Sequence, residues 1–213
     1  MIEIKNIVKS YDGNVILNNV CMKFKEGKIY GIVGQNGSGK SLLLKIMCGF
    51  VKPDAGEVIY DGADINNLDS FPKNTGALLE NGGFIPNLTG YENLKLLAAI
   101  NKKIDENEIM KNLKNVNLYK EKDKKYFKYS LGMRKKLGIC QAIMENQKYI
   151  ILDEPFNGID KESLNLIFEY LKKLKKQDKI IIITTHTKED IDTLCDEVYK
   201  MEDGKLGLQK KSK

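Results

Sequence analysis

The chain has little of what usually advertises a mechanism. Across 213 residues there is one histidine, His186, and one arginine, Arg134. The four cysteines (Cys21, Cys48, Cys140, Cys195) are scattered and form no C-x-x-C pair. Each sits beside apolar residues, so they read as small core residues of a reducing compartment, and no zinc site is expected. No apolar run approaches the roughly 18 residues of a membrane span. Met1-Ile2-Glu3-Ile4-Lys5 reads as strand alternation, not as a secretory signal. No basic run is interleaved with aromatics, which argues against a nucleic-acid partner. Finally, no glutamine stands anywhere between Gln35 and Gln141.

What is present is an ordinary globular mixture: 42% hydrophobic and 30% charged residues, enough apolar material for a sizeable core. The net charge of +6 is almost wholly lysine. It suits a polyanionic ligand or the inner face of a bilayer, but the favoured reading is a solvated lysine-rich surface.

The most informative run is Gly34-Gln35-Asn36-Gly37-Ser38-Gly39-Lys40-Ser41. It fits the phosphate-loop pattern G-x-x-x-x-G-K-[ST], and its surroundings fit too. Ile29 to Val33 reads as a buried strand, and Ser41 to Met47 as a helix ending near Cys48-Gly49-Phe50. Glycines let the backbone close around phosphate oxygens, and the loop N–H groups and helix N-terminus supply positive ends of dipoles. Lys40 would reach the β- and γ-phosphates of a nucleotide, and the Ser41 hydroxyl would ligate Mg2+.

The remaining pattern is α/β. Ile2 to Val8 and Val15 to Phe24 read as antiparallel strands around the turn Tyr11-Asp12-Gly13-Asn14, and Glu57 to Gly62 as a short strand. From Tyr91 to about Tyr126 the apolar residues fall at helical spacings in a lysine- and asparagine-rich stretch, and Ser130 to Met144 is an amphipathic helix. Tyr149 to Leu152 and Lys179 to Thr184 are continuous apolar runs of the buried parallel type, with a helix from Lys161 to Lys176 between them. Two short segments, Glu197 to Met201 and Lys205 to Leu208, follow, and Gln209 to Lys213 is expected to fray.

A second chemical signal is Ile150-Ile151-Leu152-Asp153-Glu154-Pro155, an apolar strand ending in two acids at the sheet edge where α/β ligand sites form. Asp153 would hold Mg2+ and Glu154 would act as general base toward water.

Together these motifs resemble the nucleotide-binding subunit of an ATP-binding-cassette (ABC) transporter, over essentially the whole length and in the family's order. The resemblance implies a phosphate-loop NTPase with a mainly parallel core sheet, an N-terminal antiparallel β-subdomain and an inserted helical subdomain. One domain over 1–213 is expected, with core at 1–90 and 146–213 and helical lobe at 91–145. It implies that Tyr11 stacks on adenine and that His186 reaches the γ-phosphate. Tyr129-Ser130-Leu131-Gly132-Met133 stands at the signature Leu-Ser-Gly-Gly-Gln; Ser130 and Gly132 match it, and the other three positions do not. Asn157-Gly158-Ile159-Asp160 resembles the loop that crosses the dimer interface, so Asp160 joins the nucleotide-site candidates. Two composite sites then need a second cassette subunit, and separate permease subunits would span the membrane. That places the chain in the cytoplasm, peripheral at the inner face of the cell membrane.

The family's metal-contacting glutamine is missing, and Glu80 stands in for it within Gly76-Ala77-Leu78-Leu79-Glu80-Asn81. Asp153, Glu154 and Glu80 would then be three acids around one metal and one triphosphate. That crowding predicts a raised pKa for one carboxylate and strong dependence on divalent metal. These variants resemble the branch that includes bacitracin-type and lantibiotic self-protection exporters. The alternatives are a non-transport cassette ATPase acting on ribosomes or DNA, and a low-turnover sensor module.

Overall fold

The computed structural model describes residues 1–65, 71–80 and 82–211; residues 66–70, Asn81, Ser212 and Lys213 lie outside that set. A hairpin opens the chain. β1 (Ile2–Tyr11) and β2 (Asn14–Phe24) are antiparallel, and Tyr11 faces Asn14. Asp12 and Gly13 form the turn, at φ 50° and 78°. This is the primed turn geometry that suits the twist of a hairpin and that Asp-Gly favours. β4 (Ala55–Tyr60) pairs with β1, and β5 (Ala63–Asp64) with β4, completing a four-stranded antiparallel sheet.

The second sheet has six strands. They are β3 (Lys28–Val33), β6 (Thr75–Leu78), β7 (Tyr149–Asp153), β8 (Ile180–Thr184), β9 (Glu197–Glu202) and β10 (Lys205–Lys211), in the order β10-β9-β3-β8-β7-β6. All pairings are parallel except that of β10 with β9. The tail expected to fray is therefore strand as far as Lys211, which pairs with Glu197.

Six α-helices accompany the sheets among the described residues. α1 (Lys40–Met47) follows β3; α2 (Gly90–Asn101), α3 (Glu106–Asn115) and α4 (Leu131–Ile143) lie in sequence between β6 and β7; α5 (Lys161–Lys175) joins β7 to β8, and α6 (Lys188–Leu194) joins β8 to β9.

Two cores follow from strand alternation, since successive side chains point to opposite faces. Ile150 and Leu152 of β7 and Ile181 and Ile183 of β8 pack with Leu137 of α4 and Phe168 and Leu171 of α5. Tyr149, Ile151, Ile180 and Ile182 pack on the other face with Leu43, Leu44 and Met47 of α1 and with Ile2, Ile4 and Phe24 of the antiparallel sheet. β7 and β8 are buried at every residue. β6 lies hard against α4: a Cβ on Gly76 would stand 1.8 Å from the Ala142 carbonyl oxygen.

The cysteines divide. Cys48 and Cys140 are buried, and burial pushes the Cys48 thiol up to about 12. Cys21 departs from the expected core placement: it is exposed on β2, and its thiol donates to Asn6 Oδ1 at 3.1 Å.

Candidate nucleotide site

The strand β3 ends at Val33, and Gly34 to Gly39 loop from it into the N-terminus of α1. Gly39 takes φ 100°, a left-handed conformation that a side chain would strain, and a Cβ there would stand 2.9 Å from Leu17 Cδ2. The Lys40 side chain is buried and folds back over the loop. Its Nζ donates to the Gly34 and Gln35 carbonyls at 2.8 and 2.9 Å. The Ser38 hydroxyl oxygen is buried, with no hydrogen-bond partner among the described residues. Buried polar atoms are normally satisfied, so this orphan beside a lysine and a helix N-terminus fits an anionic ligand.

The acids stand opposite, at the C-terminal end of β7. Asp153 is buried; its Oδ1 accepts from the Thr184 hydroxyl at 2.5 Å. Glu154 takes φ 43°. Its Oε2 accepts from Asn157 Nδ2 at 2.9 Å, and its Oε1 lies 3.6 Å from His186 Nδ1. His186 itself is exposed.

One cleft of about 480 Å³ gathers Lys40 and Ser41, Asp153 and Glu154, Glu80, and Lys135. Asn36, Gly37 and Gly39 also line it, while Gln35 and Ser38 line the adjoining hollow. Lys135 is the residue that sequence reasoning missed. It is 9% exposed, and its Nζ donates to the Glu80 and Asp153 carbonyls at 3.3 and 3.5 Å. Burial holds its pKa below the usual lysine range. The available signal was helical spacing: Lys135 shares a face with Gly138, Ile139 and Ala142.

Glu80 corrects an expectation. Its carboxylate lies 2.5 Å from Lys45 Nζ, and the hydrogen bond and charge of Lys45 hold its pKa below the usual glutamate range. The raised carboxylate predicted from three crowded acids is therefore not found at Glu80. Among the described residues, no group of three or more acidic, histidine or cysteine side chains is arranged to hold a metal.

Residues 17–157 match the family model described as ABC transporter. The chain is also 38% identical over 211 residues to YybJ of Bacillus subtilis (strain 168), an uncharacterized ABC transporter ATP-binding protein, covering 99% of this chain and 97% of the relative. The chain belongs to the ABC transporter ATP-binding family. Within it, the bacitracin transport ATP-binding protein BcrA of Enterococcus faecalis is 36% identical, over 97% of this chain and 68% of that protein. The fold superposes on a dimeric bacterial ABC transporter cassette with a TM-score of 0.90 at 28% identity, covering 100% of this chain and 99% of that one. A dimeric cassette in a post-hydrolysis state with ADP and Pi gives 0.89 at 26% identity, covering 100% and 99%. As an ABC ATP-binding subunit, the chain binds and hydrolyses ATP. Among its described residues, no helix is long and apolar enough to cross a membrane.

The other ABC candidates stand outside the cleft. Tyr11 is exposed at the hairpin tip, with Lys9 Nζ 5.3 Å from its ring centre. Ser130 caps α4, its hydroxyl accepting from the Met133 amide at 3.3 Å. A Cβ on Gly132 would stand 2.1 Å from the Gly158 carbonyl oxygen, so α4 and the 157–160 loop meet backbone to backbone there. Asp160 caps α5: its Oδ1 accepts from the Ser163 amide at 2.8 Å, and its Oδ2 lies 3.4 Å from Lys136 Nζ.

Proposed function

We propose that the chain is the ATP-hydrolysing subunit of a peptide-antibiotic exporter, paired with a second cassette around two ATP molecules and docked on separate membrane-spanning subunits at the inner face of the cell membrane. The observation that carries the enzymatic part is the single cleft shared by Lys40, Ser41, Asp153 and Glu154. The cargo class rests on relatives named for bacitracin transport and, in SrtF of Streptococcus pyogenes at 32% identity, for lantibiotic transport.

The residues fit magnesium in the manner usual for that ion, which takes one or two protein ligands and completes its shell from phosphates and water. Ser41 and Asp153 would hold it. Bound there, it would supply positive charge to offset the charge of the phosphates. Lys40 exchanges the Gly34 and Gln35 carbonyls for β- and γ-phosphate oxygens. Glu154 accepts the proton of the attacking water, its carboxylate steadied by Asn157 and flanked by His186. Tyr11 offers adenine a ring face. Ser130 and Gly132 reach the nucleotide held by the second subunit.

Docking on the membrane subunits is supported by a largely apolar groove of about 680 Å³ beside Glu80, lined by Phe50, Val51, Ala77 and Leu79. Phe50 is 59% exposed there although its ring pairs with that of Phe71, at 4.8 Å between ring centres.

Two measurements test the proposal. Purified chain is expected to turn over ATP, and Glu154→Gln to bind it without turnover; normal turnover in that variant removes the general-base role. Co-expressed with its companion spanning subunits, the chain is expected to lower sensitivity to bacitracin or a lantibiotic. Unchanged sensitivity across such a panel removes the cargo assignment.

A further inference from the structure

β7 and β8 end side by side, with Asp153 in register with Thr184. Thr184 is fully buried, yet its hydroxyl has two polar partners, and both belong to the acid pair. Oγ1 donates to Asp153 Oδ1 at 2.5 Å and accepts the Glu154 N–H at 2.9 Å. The same N–H lies 3.2 Å from the Thr184 carbonyl oxygen. A hydroxyl has a single proton to give, so donation to the carboxylate fixes its orientation and turns a lone pair toward the amide. The bond to an ionised oxygen is of the strong, charge-assisted kind.

Two things are set at once. Asp153 Oδ1 is engaged within the protein, and among the described residues no group donates to Oδ2, which leaves that oxygen for a ligand. The backbone of Glu154 is held at φ 43°, a left-handed conformation uncommon for a glutamate.

We propose that Thr184 is a positioning residue for ATP hydrolysis: its one hydroxyl orients the metal-facing carboxylate of Asp153 and anchors the amide of Glu154, so that both acids address the same phosphate. The inference rests on the ATPase reading of this cleft and adds to it a residue that touches neither nucleotide nor metal.

The test uses the purified full chain, with Mn2+ as a spectroscopic substitute for magnesium. Thr184→Val preserves shape and deletes the hydroxyl; Thr184→Ser preserves the hydroxyl. In Thr184→Val, Mn2+ affinity in the presence of ATP, read from the paramagnetic resonance of free Mn2+, is expected to fall about 10–100-fold, the usual cost of losing a partner behind a metal ligand. The value of kcat falls with it, metal-free ATP binding stays as in the parent, and Thr184→Ser restores both losses. Parental Mn2+ affinity and kcat in Thr184→Val overturn the proposal. So does a Thr184→Ser variant as impaired as Thr184→Val, because packing and not the hydroxyl would then be responsible. Should Thr184→Val not fold, Thr184→Ala set against Thr184→Ser gives the same contrast, and equal behaviour of those two overturns it. Absence of ATP turnover and of Mn2+–ATP binding in the parent chain would instead be a failure of the ATPase reading.

Discussion

Lys45 and Glu80 show how one side-chain pair redirects an argument about charge. Three acids near one triphosphate suggest mutual repulsion, but Glu80 gives its charge to Lys45 at 2.5 Å. Its pKa is lowered, so the pair persists at neutral pH and is lost only as pH falls through that depressed value. The Glu80 side chain is 65% exposed, and such surface pairs contribute about 1 kcal/mol or less. Glu80→Gln should therefore barely move the magnesium concentration for half-maximal ATPase rate. Lys45→Met, which releases the Glu80 charge, should shift it toward lower magnesium. A large shift in Glu80→Gln would return Glu80 to the metal. Glu154 should behave differently, because the role proposed for it is proton transfer. Glu154→Gln is expected to lose about 10²–10⁴-fold in kcat with ATP affinity retained, measured by single-turnover hydrolysis and equilibrium binding. Glu154, Asp153, Lys40 and Ser41 were legible because their motifs are local runs on a strand end and a loop. Lys135 and Thr184 were not, because a lysine in a basic helix and a threonine at a strand end acquire meaning only from what another segment brings beside them.

At the scale of elements, glycines and caps decide where helices meet strands. Continuous apolar runs and the phosphate loop made β3, β7, β8 and α1 readable to within a residue or two. β6 was not read as a strand, since Thr75-Gly76-Ala77-Leu78 is short and has little β propensity. Tertiary packing makes it one: Gly76 allows α4 to approach until backbone touches backbone, and Gly138 admits Leu78. Gly76→Ala is expected to destabilise the fold by about 1–3 kcal/mol or more through overpacking, seen as a lower urea midpoint. Asp160 makes a milder prediction. Asp160→Ala removes the N-cap of α5 and should cost about 0.5–2 kcal/mol at pH 7. The amide and hydroxyl of Ser163 lower the Asp160 carboxyl from 3.8 to about 2. A depressed carboxyl stabilises above its unfolded value and loses that contribution as pH falls through its folded value. The gap between Asp160→Ala and the parent chain should accordingly narrow as urea titrations move from pH 5 toward about 2.

For the whole molecule, the question is whether one copy completes the proposed site. The cleft holds Lys40, Ser41, Asp153 and Glu154, while Ser130 and Gly132 lie outside it at the start of α4. If a second copy supplies them, the two sites are related by a two-fold axis and each draws on both chains. Damage to the loop side and damage to the α4 side should then complement each other. Lys40→Met alone and Ser130→Arg alone are each expected to be inactive, since every homodimer site lacks one half. In an equal mixture, half of the dimers are mixed. Each mixed dimer has one intact site, formed by the loop of the Ser130→Arg chain and the α4 start of the Lys40→Met chain, and one site damaged twice. With independent sites, the mixture should recover up to about a quarter of the parental rate. Recovery should rise with total protein concentration, because assembly is a mass-action step. No recovery at concentrations where the parent chain is dimeric and active would mean that the two sites must fire together. Substantial activity in Ser130→Arg alone would mean that the site is complete within one chain, and that Ser130 serves only as the cap of its own helix.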